Sequence, residues 1–414
     1  MHQREDSDRT LREGIMVTFD MMALYTGIIA FICATLTAYT VTPPVRLLAY
    51  RIGAIDVPTD SRRMHRKPTP RIGGLAIFVA FVLTTMIFCE HSSTLYAIWI
   101  GGGVLVWLGI FDDIFRLPPV FKLLIQLGAA AIAVIGFGVK IEFITILGQT
   151  VQFGIFSIPV TMIWIVCLTN AINLIDGLDG LACGVSTITS LSMFGAMLIH
   201  GDMASAMITA MLVASCVGFL PYNKNPAKIF MGDTGALFLG YALSIISVQG
   251  LFKMNAMLSF LVPLSIFALP ILDTVVAALR RMATGHNPFS ADRGHFHHRL
   301  VDMGFSHKEA VSLLYAISGL LGLVAVMYTM GTTSGSGRKN ALVIAVAALV
   351  ILLLIFNCMR KPSTRILSGL AEHVSEIEIE ARAEERAIME KEQAEAERLK
   401  KEQKLEQKKH KNQH

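Results

Sequence analysis

The sequence predicts an all-α polytopic membrane protein, and three observations lead there. Of its 414 residues 53% are hydrophobic and 16% charged, with a mean hydropathy of +0.57, whereas a soluble domain carries about 25% charged residues. The charges are also unevenly placed: they crowd into residues 1–12, 46–71, 280–310 and the chain beyond 360. Finally, the apolar stretches between those clusters have the length, roughly 20 residues, that crosses about 30 Å of hydrocarbon. The net charge of +5 therefore reads as basic residues in loops beside a membrane, not as a nucleic-acid footprint. Six cysteines lie in apolar runs without a CxxC pair, so they imply no disulfide framework or metal cluster and read as small buried hydrophobes.

Eleven stretches qualify as spans: 20–41, 72–89, 95–111, 119–138, 156–173, 180–199, 203–221, 235–251, 257–279, 311–330 and 340–359. Several contain Gly or Pro, which membrane helices tolerate. The first is too long for a signal-peptide core, and no small-residue cleavage site follows it. No internal repeat is visible, which argues against a transporter of inverted halves. Three regions follow: an extracytoplasmic segment over 1–19, a membrane domain over 20–359 and a charged tail over 360–414. The tail is rich in Ala, Glu, Lys, Arg and Gln, with opposite charges three or four apart, and reads as solvated and partly helical.

Orientation follows from Lys and Arg in the loops. Sixteen follow the odd-numbered spans, counting Lys122 at the edge of one loop, against four after the even-numbered spans. The odd loops are therefore assigned to the cytoplasm, with the N-terminus outside and the C-terminus inside. Arg4, Arg9 and Arg12 run against this assignment, and Met16 is an alternative start just before the first span.

The polar motifs fall on that same face. Asp112 and Asp113 end the third span. Asn170 to Gly180, with Asn173, Asp176 and Asp179, joins the fifth to the sixth. Asn223 and Asn225 lead into Phe230-Met-Gly-Asp233-Thr-Gly235 before the eighth. Arg280 and Arg281 close the ninth, followed by Arg293, His295, His297 and His298. Carboxylates at membrane depth are costly unless paired, hydrated or cation-bound, and so suggest function. Five of them on one face call for a cation. An oxygen-rich set suits Mg²⁺ or Mn²⁺, held by one or two carboxylates plus substrate phosphates. Lys67, Arg71, Lys122, Lys228, Arg281 and Arg293 supply positive charge for phosphate. The Asp-Gly-Leu-Asp-Gly turn lets backbone N–H groups approach an anion. The histidines lack the Cys pair or helical spacing of a zinc site. A coupled transporter would keep its carboxylates near the midplane, and an intramembrane aspartyl protease would need neither the histidines nor the Asn-rich segment.

In this order and spacing, Asp112-Asp113, Asn170 to Gly180, Phe230 to Gly235 and His295-Phe-His-His298 resemble the polyprenyl-phosphate hexose-1-phosphate transferases, over residues 20–330 or so. The closest likeness is to the branch that uses UDP-N-acetylglucosamine, the TagO and WecA types. The peptidoglycan branch has ten helices and an uninterrupted histidine run, which Phe296 breaks here.

The resemblance implies attack by undecaprenyl phosphate on the sugar-linked phosphate of UDP-GlcNAc, with release of UMP. The reaction would serve teichoic acid, O-antigen or similar synthesis in the bacterial cytoplasmic membrane. It places Mg²⁺ (or Mn²⁺) on Asp233 and Asp113, with Asp112 and Asp113 near the metal or one of them deprotonating the lipid phosphate. It puts Asn173, Asp176, Asp179 and Asn223 in the nucleotide pocket and Phe230 against uracil. Arg281, Arg293, His295, His297 and His298 would take the diphosphate and sugar, and Lys122 the lipid phosphate. The oligomeric state is left open between monomer and homodimer.

Overall fold

The structure is a computed structural model that describes residues 2–57, 68–146, 149–252, 260–283 and 295–333. All of these except Asp302–Gly304 belong to one compact helical unit; of a second unit only Asp302–Gly304, the end of a short helix and the turn after it, are described. The eleventh expected span and the tail lie outside the described residues.

The helices are α1 (His2–Ile52), α2 (Gly74–Phe88), α3 (Ser93–Phe115), α4 (Pro119–Ala131), α5 (Ser157–Ile175), α6 (Leu181–His200), α7 (Met203–Asn223), α8 (Gly232–Gly250), α9 (Leu261–Ile266), α10 (Ala268–Ala283), α11 (Phe296–Asp302) and α12 (His307–Thr333). Among the described residues, seven helical stretches are long and apolar enough to cross a membrane, including Leu24–Ile52 of α1 and Pro119–Gly136, where α4 continues into a π-turn. The described residues also form two short antiparallel ladders, β1 (Ile55–Asp56) with β2 (Thr69–Pro70) and β3 (Phe143–Ile146) with β4 (Gln149–Gln152).

The expected span over 257–279 differs: its described part is two helices, α9 and α10, broken at Phe267. Pro270 contributes to the break: it has no N–H for the Ile266 carbonyl, and its ring crowds that oxygen. The chain restarts with the Ile271 N–H donating to the Phe267 carbonyl.

The core is organised around α8. Nearly every residue from Thr234 to Val248 is buried, as expected of a helix apolar on all sides. Its neighbours reach it through missing side chains, since membrane helices pack closely only where small residues let backbones approach. A Cβ on Gly74 would lie 1.9 Å from the Gly235 Cα, and one on Gly109 would lie 2.3 Å from the Thr234 Cα. Gly101 makes room for Tyr241, whose hydroxyl donates to the carbonyls of Ala97 and Ala129. These contacts tie α2, α3 and α4 to α8, and the first turn of α8 carries Asp233.

The candidate active site at one end of the bundle

Helix α3 ends at the site because Arg116 turns into the left-handed region, at φ 53°. The turn lets the Leu117 N–H, the first beyond the cap of α3, donate to Asp112 Oδ1 at 2.7 Å. The other Asp112 oxygen accepts from Lys122 Nζ at 2.8 Å, and the same ammonium reaches Asp233 Oδ2 at 3.0 Å. Lys122 thus joins carboxylates from the end of α3 and the start of α8.

Asp113 does something else. Its side chain is 1% exposed and 3.5 Å from Arg71 Nε. It accepts from the Thr234 hydroxyl at 2.9 Å, the Thr234 N–H at 3.2 Å and the Asp233 N–H at 3.3 Å. The orphan donors of α8 are therefore capped by a carboxylate from α3. Gly232 permits this: its φ is +70°, and a Cβ there would meet the Arg71 carbonyl at 1.8 Å and Asp113 Oδ2 at 2.5 Å. Phe230 and Gly73 hold the neighbouring strands, with the Phe230 N–H donating to Pro70 and the Gly73 N–H to Phe230.

The Asn–Asp segment lies alongside. Asn173, in the last turn of α5, lies beside Asp233. Asp176 caps α5, and its carboxyl is pushed up to about 8, by burial first and then by the charges of Asp233 and Asp113. Asp179 accepts from Asn225 Nδ2 at 2.9 Å and the Ala227 N–H at 3.0 Å, fastening the α7–α8 loop to the start of α6. Asn223 is buried, with its amide donating to Ile229 and its Oδ1 unpartnered. Gly180 has φ +78°, and its carbonyl accepts from the Tyr315 hydroxyl on α12.

The histidine segment packs against this loop. His297 is 2% exposed. A Cβ on Gly177 would lie 2.0 Å from its Nε2. Burial first, then the neighbouring His298, pushes its pKa down to about 3, so His297 is neutral at physiological pH. His295 and His297 are stacked with ring centroids 6.0 Å apart, and His297 and His298 are 4.2 Å apart. His295 Nδ1 is 3.0 Å from Asp273 Oδ2 on α10. Sequence reasoning missed Asp273. Its signal was present, since a lone carboxylate inside an apolar span needs a partner. Thr234 and Tyr315 were also missed, and neither carries a sequence signal beyond an ordinary polar residue. Arg281 lies half-buried in the last turn of α10, while Arg293 and Lys67 lie outside the described residues.

The five carboxylates singled out in the sequence are thus brought to one end of the bundle, with Lys122 and Arg71 between them. Among the described residues, no three or more His, Cys, Asp or Glu side chains are arranged to hold a metal by themselves. A divalent cation such as Mg²⁺, which keeps waters and substrate phosphates among its ligands, would need only one or two carboxylates from the protein. Asp112 and Asp233 fit best, as both converge on one cationic nitrogen. The oxygens of Asp113 are turned to α8 and Arg71.

Residues 95–251, which include the five carboxylates and Lys122, match glycosyl transferase family 4. The chain is 42% identical over 311 residues to a probable undecaprenyl-phosphate N-acetylglucosaminyl 1-phosphate transferase of Bacillus subtilis, covering 74% of this chain and 86% of that one. This chain belongs to the polyprenyl-phosphate N-acetylglucosamine-1-phosphate transferases. The transferase is also 33% identical to a decaprenyl-phosphate N-acetylglucosaminephosphotransferase of Mycolicibacterium smegmatis, over 77% of this chain and 86% of that one. It is 28% identical to an undecaprenyl-phosphate alpha-N-acetylglucosaminyl 1-phosphate transferase of Escherichia coli K12, over 68% and 78% of the two chains. The transferase is therefore a multi-pass membrane enzyme of this family, built mostly of helices.

Proposed function

We propose that this transferase moves N-acetylglucosamine-1-phosphate from UDP-GlcNAc to undecaprenyl phosphate and releases UMP, as the first membrane step of an envelope polysaccharide such as teichoic acid or O-antigen. The observation that carries the reading is the Asp112–Lys122–Asp233 bridge at the end of the apolar helices. Phosphoryl transfer is chiefly positioning and charge stabilisation, and this bridge is a cationic position framed by carboxylates where a lipid phosphate arrives. The reading includes eleven spans in a bacterial cytoplasmic membrane, with the site and the C-terminus on the cytoplasmic side.

In this scheme Lys122 pairs with the lipid phosphate, and Asp112 and Asp233 would hold Mg²⁺. The metal, when bound, supplies neutralisation of the diphosphate. Asp113 and Arg71 keep the start of α8 in place, so that Asp233 keeps its aim. Asp176, Asp179, Asn173 and Asn223 line the nucleotide side, with Phe230 against the base. His295, His297, His298 and Arg281 take the sugar diphosphate, and Arg293 is assigned to it from its place in the sequence motif. In this scheme Asp112 is the carboxylate nearest the lipid phosphate, Asp113 acts through the aim of Asp233, and Asp176 and Asp179 orient the nucleotide.

The test is direct. Purified protein in detergent is given undecaprenyl phosphate, Mg²⁺ and a panel of labelled UDP-sugars. UMP release and a labelled lipid should appear with UDP-GlcNAc. Release with a different UDP-sugar alone would replace the donor in this reading.

A further inference from the structure

We propose that Asp273 is a positioning residue for the transfer reaction: from helix α10 it fixes the ring orientation and tautomer of His295 and anchors the histidine segment against the Asp176–Gly180 loop. Asp273 is 2% exposed and belongs to neither the carboxylate cluster nor the Asn–Asp loop. Its two oxygens are divided between two tasks. Oδ2 faces His295 Nδ1 at 3.0 Å, and Oδ1 accepts the Phe296 N–H at 2.7 Å, the first of the orphan donors of α11.

The chemistry of this pair has a direction. An ionised carboxylate only accepts, so it selects the His295 tautomer with the proton on Nδ1. Nε2 then carries the lone pair, or a second N–H when the ring is protonated. The same logic orients metal-bound and catalytic imidazoles through an outer carboxylate. A carboxylate buried in an apolar helix is expensive, and packing alone would be met equally well by Leu or Asn. Here it is held beside one side of a pocket whose walls include Ile175, Leu181, Phe296 and His297. His297 stacks on His295 and presses on Gly177, one residue from Asp176. Displacing His295 therefore displaces the loop that carries two of the site's carboxylates. The inference rests on the reading that the histidine segment serves the nucleotide sugar.

The test is a double-mutant cycle of D273N and H295N, with steady-state UMP release measured against UDP-GlcNAc and undecaprenyl phosphate separately. Asn at 273 still accepts from Phe296 but offers an N–H where His295 needs an acceptor. Asn at 295 keeps a donor for Asp273 but has nothing at the Nε2 position. D273N should raise KM for UDP-GlcNAc or lower kcat by about tenfold to a hundredfold, the effect of one charge-assisted hydrogen bond. KM for undecaprenyl phosphate should not change. The double variant should be no worse than H295N, because Asp273 acts through His295. Losses that multiply in the double variant overturn the proposal. So does a fall in active enzyme fraction with both KM values and kcat per active site unchanged, which is the signature of packing alone. An impaired H295N with a normal D273N removes the positioning role and leaves the nucleotide-sugar reading standing. A normal H295N removes both. If D273N does not purify as folded protein, H295N and H295Q carry the test. Gln reaches the Nε2 position without serving Asp273, so activity in H295Q equal to wild type also overturns the proposal.

Discussion

Replacing Asp113 with Asn separates the architecture of the site from its chemistry. Asn retains one acceptor oxygen, and the cheapest placement leaves it at the Oδ2 position, where Thr234 donates from its hydroxyl at 2.9 Å and its N–H at 3.2 Å. The amide nitrogen then faces the Asp233 N–H at 3.3 Å and Arg71 Nε at 3.5 Å. One backbone hydrogen bond and one buried ion pair are lost. A hydrogen bond to a charged group contributes about 1.5–3 kcal/mol, and removing a charge that repels Asp233 offsets part of it. The net destabilisation is expected at about 1–2 kcal/mol, a fall of a few degrees in unfolding midpoint. Turnover should fall much further, by about a hundredfold or more, equivalent to about 2.7 kcal/mol of transition-state stabilisation. The reason is that Asp113 sets where Asp233 points. Thermal unfolding in detergent, UMP release and calorimetric binding of UDP-GlcNAc with Mg²⁺ present give the three readouts. A folded variant with a lower midpoint and turnover within about threefold of wild type would refute the argument, leaving Asp113 as a cap for α8 only. Loss of nucleotide binding, with turnover at saturation preserved, would refute it differently by placing Asp113 on the donor side.

Chelation should abolish UMP release and added Mg²⁺ or Mn²⁺ should restore it; full turnover in excess EDTA removes the metal role given to Asp112 and Asp233. In a variant without native cysteines, Lys224→Cys should react with a membrane-impermeant thiol reagent only from the cytoplasmic side and Gln149→Cys only from outside, and the reverse pattern overturns the orientation. Gly177→Ala should weaken UDP-GlcNAc binding by about tenfold or more, because its Cβ would lie 2.0 Å from His297 Nε2 and overpacking of this kind typically costs about 1–3 kcal/mol. Calorimetry checks this, and unchanged affinity in folded protein would show that the histidine segment yields without consequence.

Much of the fold was legible in the sequence because solvent preference is written locally. A stretch such as 203–221 needs no partner to declare that it avoids water, and α7 covers it from Met203 to Asn223. The same holds for α3, α5, α6 and α12, whose apolar runs meet the length a membrane demands. The break between α9 and α10 was also encoded in part locally, in Pro270, but an average over an apolar window hides a single missing N–H. That Asp112, Asp176 and Asp233 belong to one end of the bundle followed from loop placement. Which of them pair did not. Lys122 and Asp233 are 111 positions apart, Asp113 and Thr234 are 121 apart, and Asp273 and His295 are 22 apart across residues with no readable pattern. Hydropathy depends on each residue's own transfer free energy, so sequence alone determined that this is a helical membrane protein with its polar chemistry gathered on one face. Hydrogen bonds depend on distances of about 3 Å between groups far apart in the chain. Only the tertiary structure could therefore decide that Lys122 bridges two carboxylates, that Asp113 faces inward to cap a helix, and that a buried aspartate on α10 holds the histidines in place.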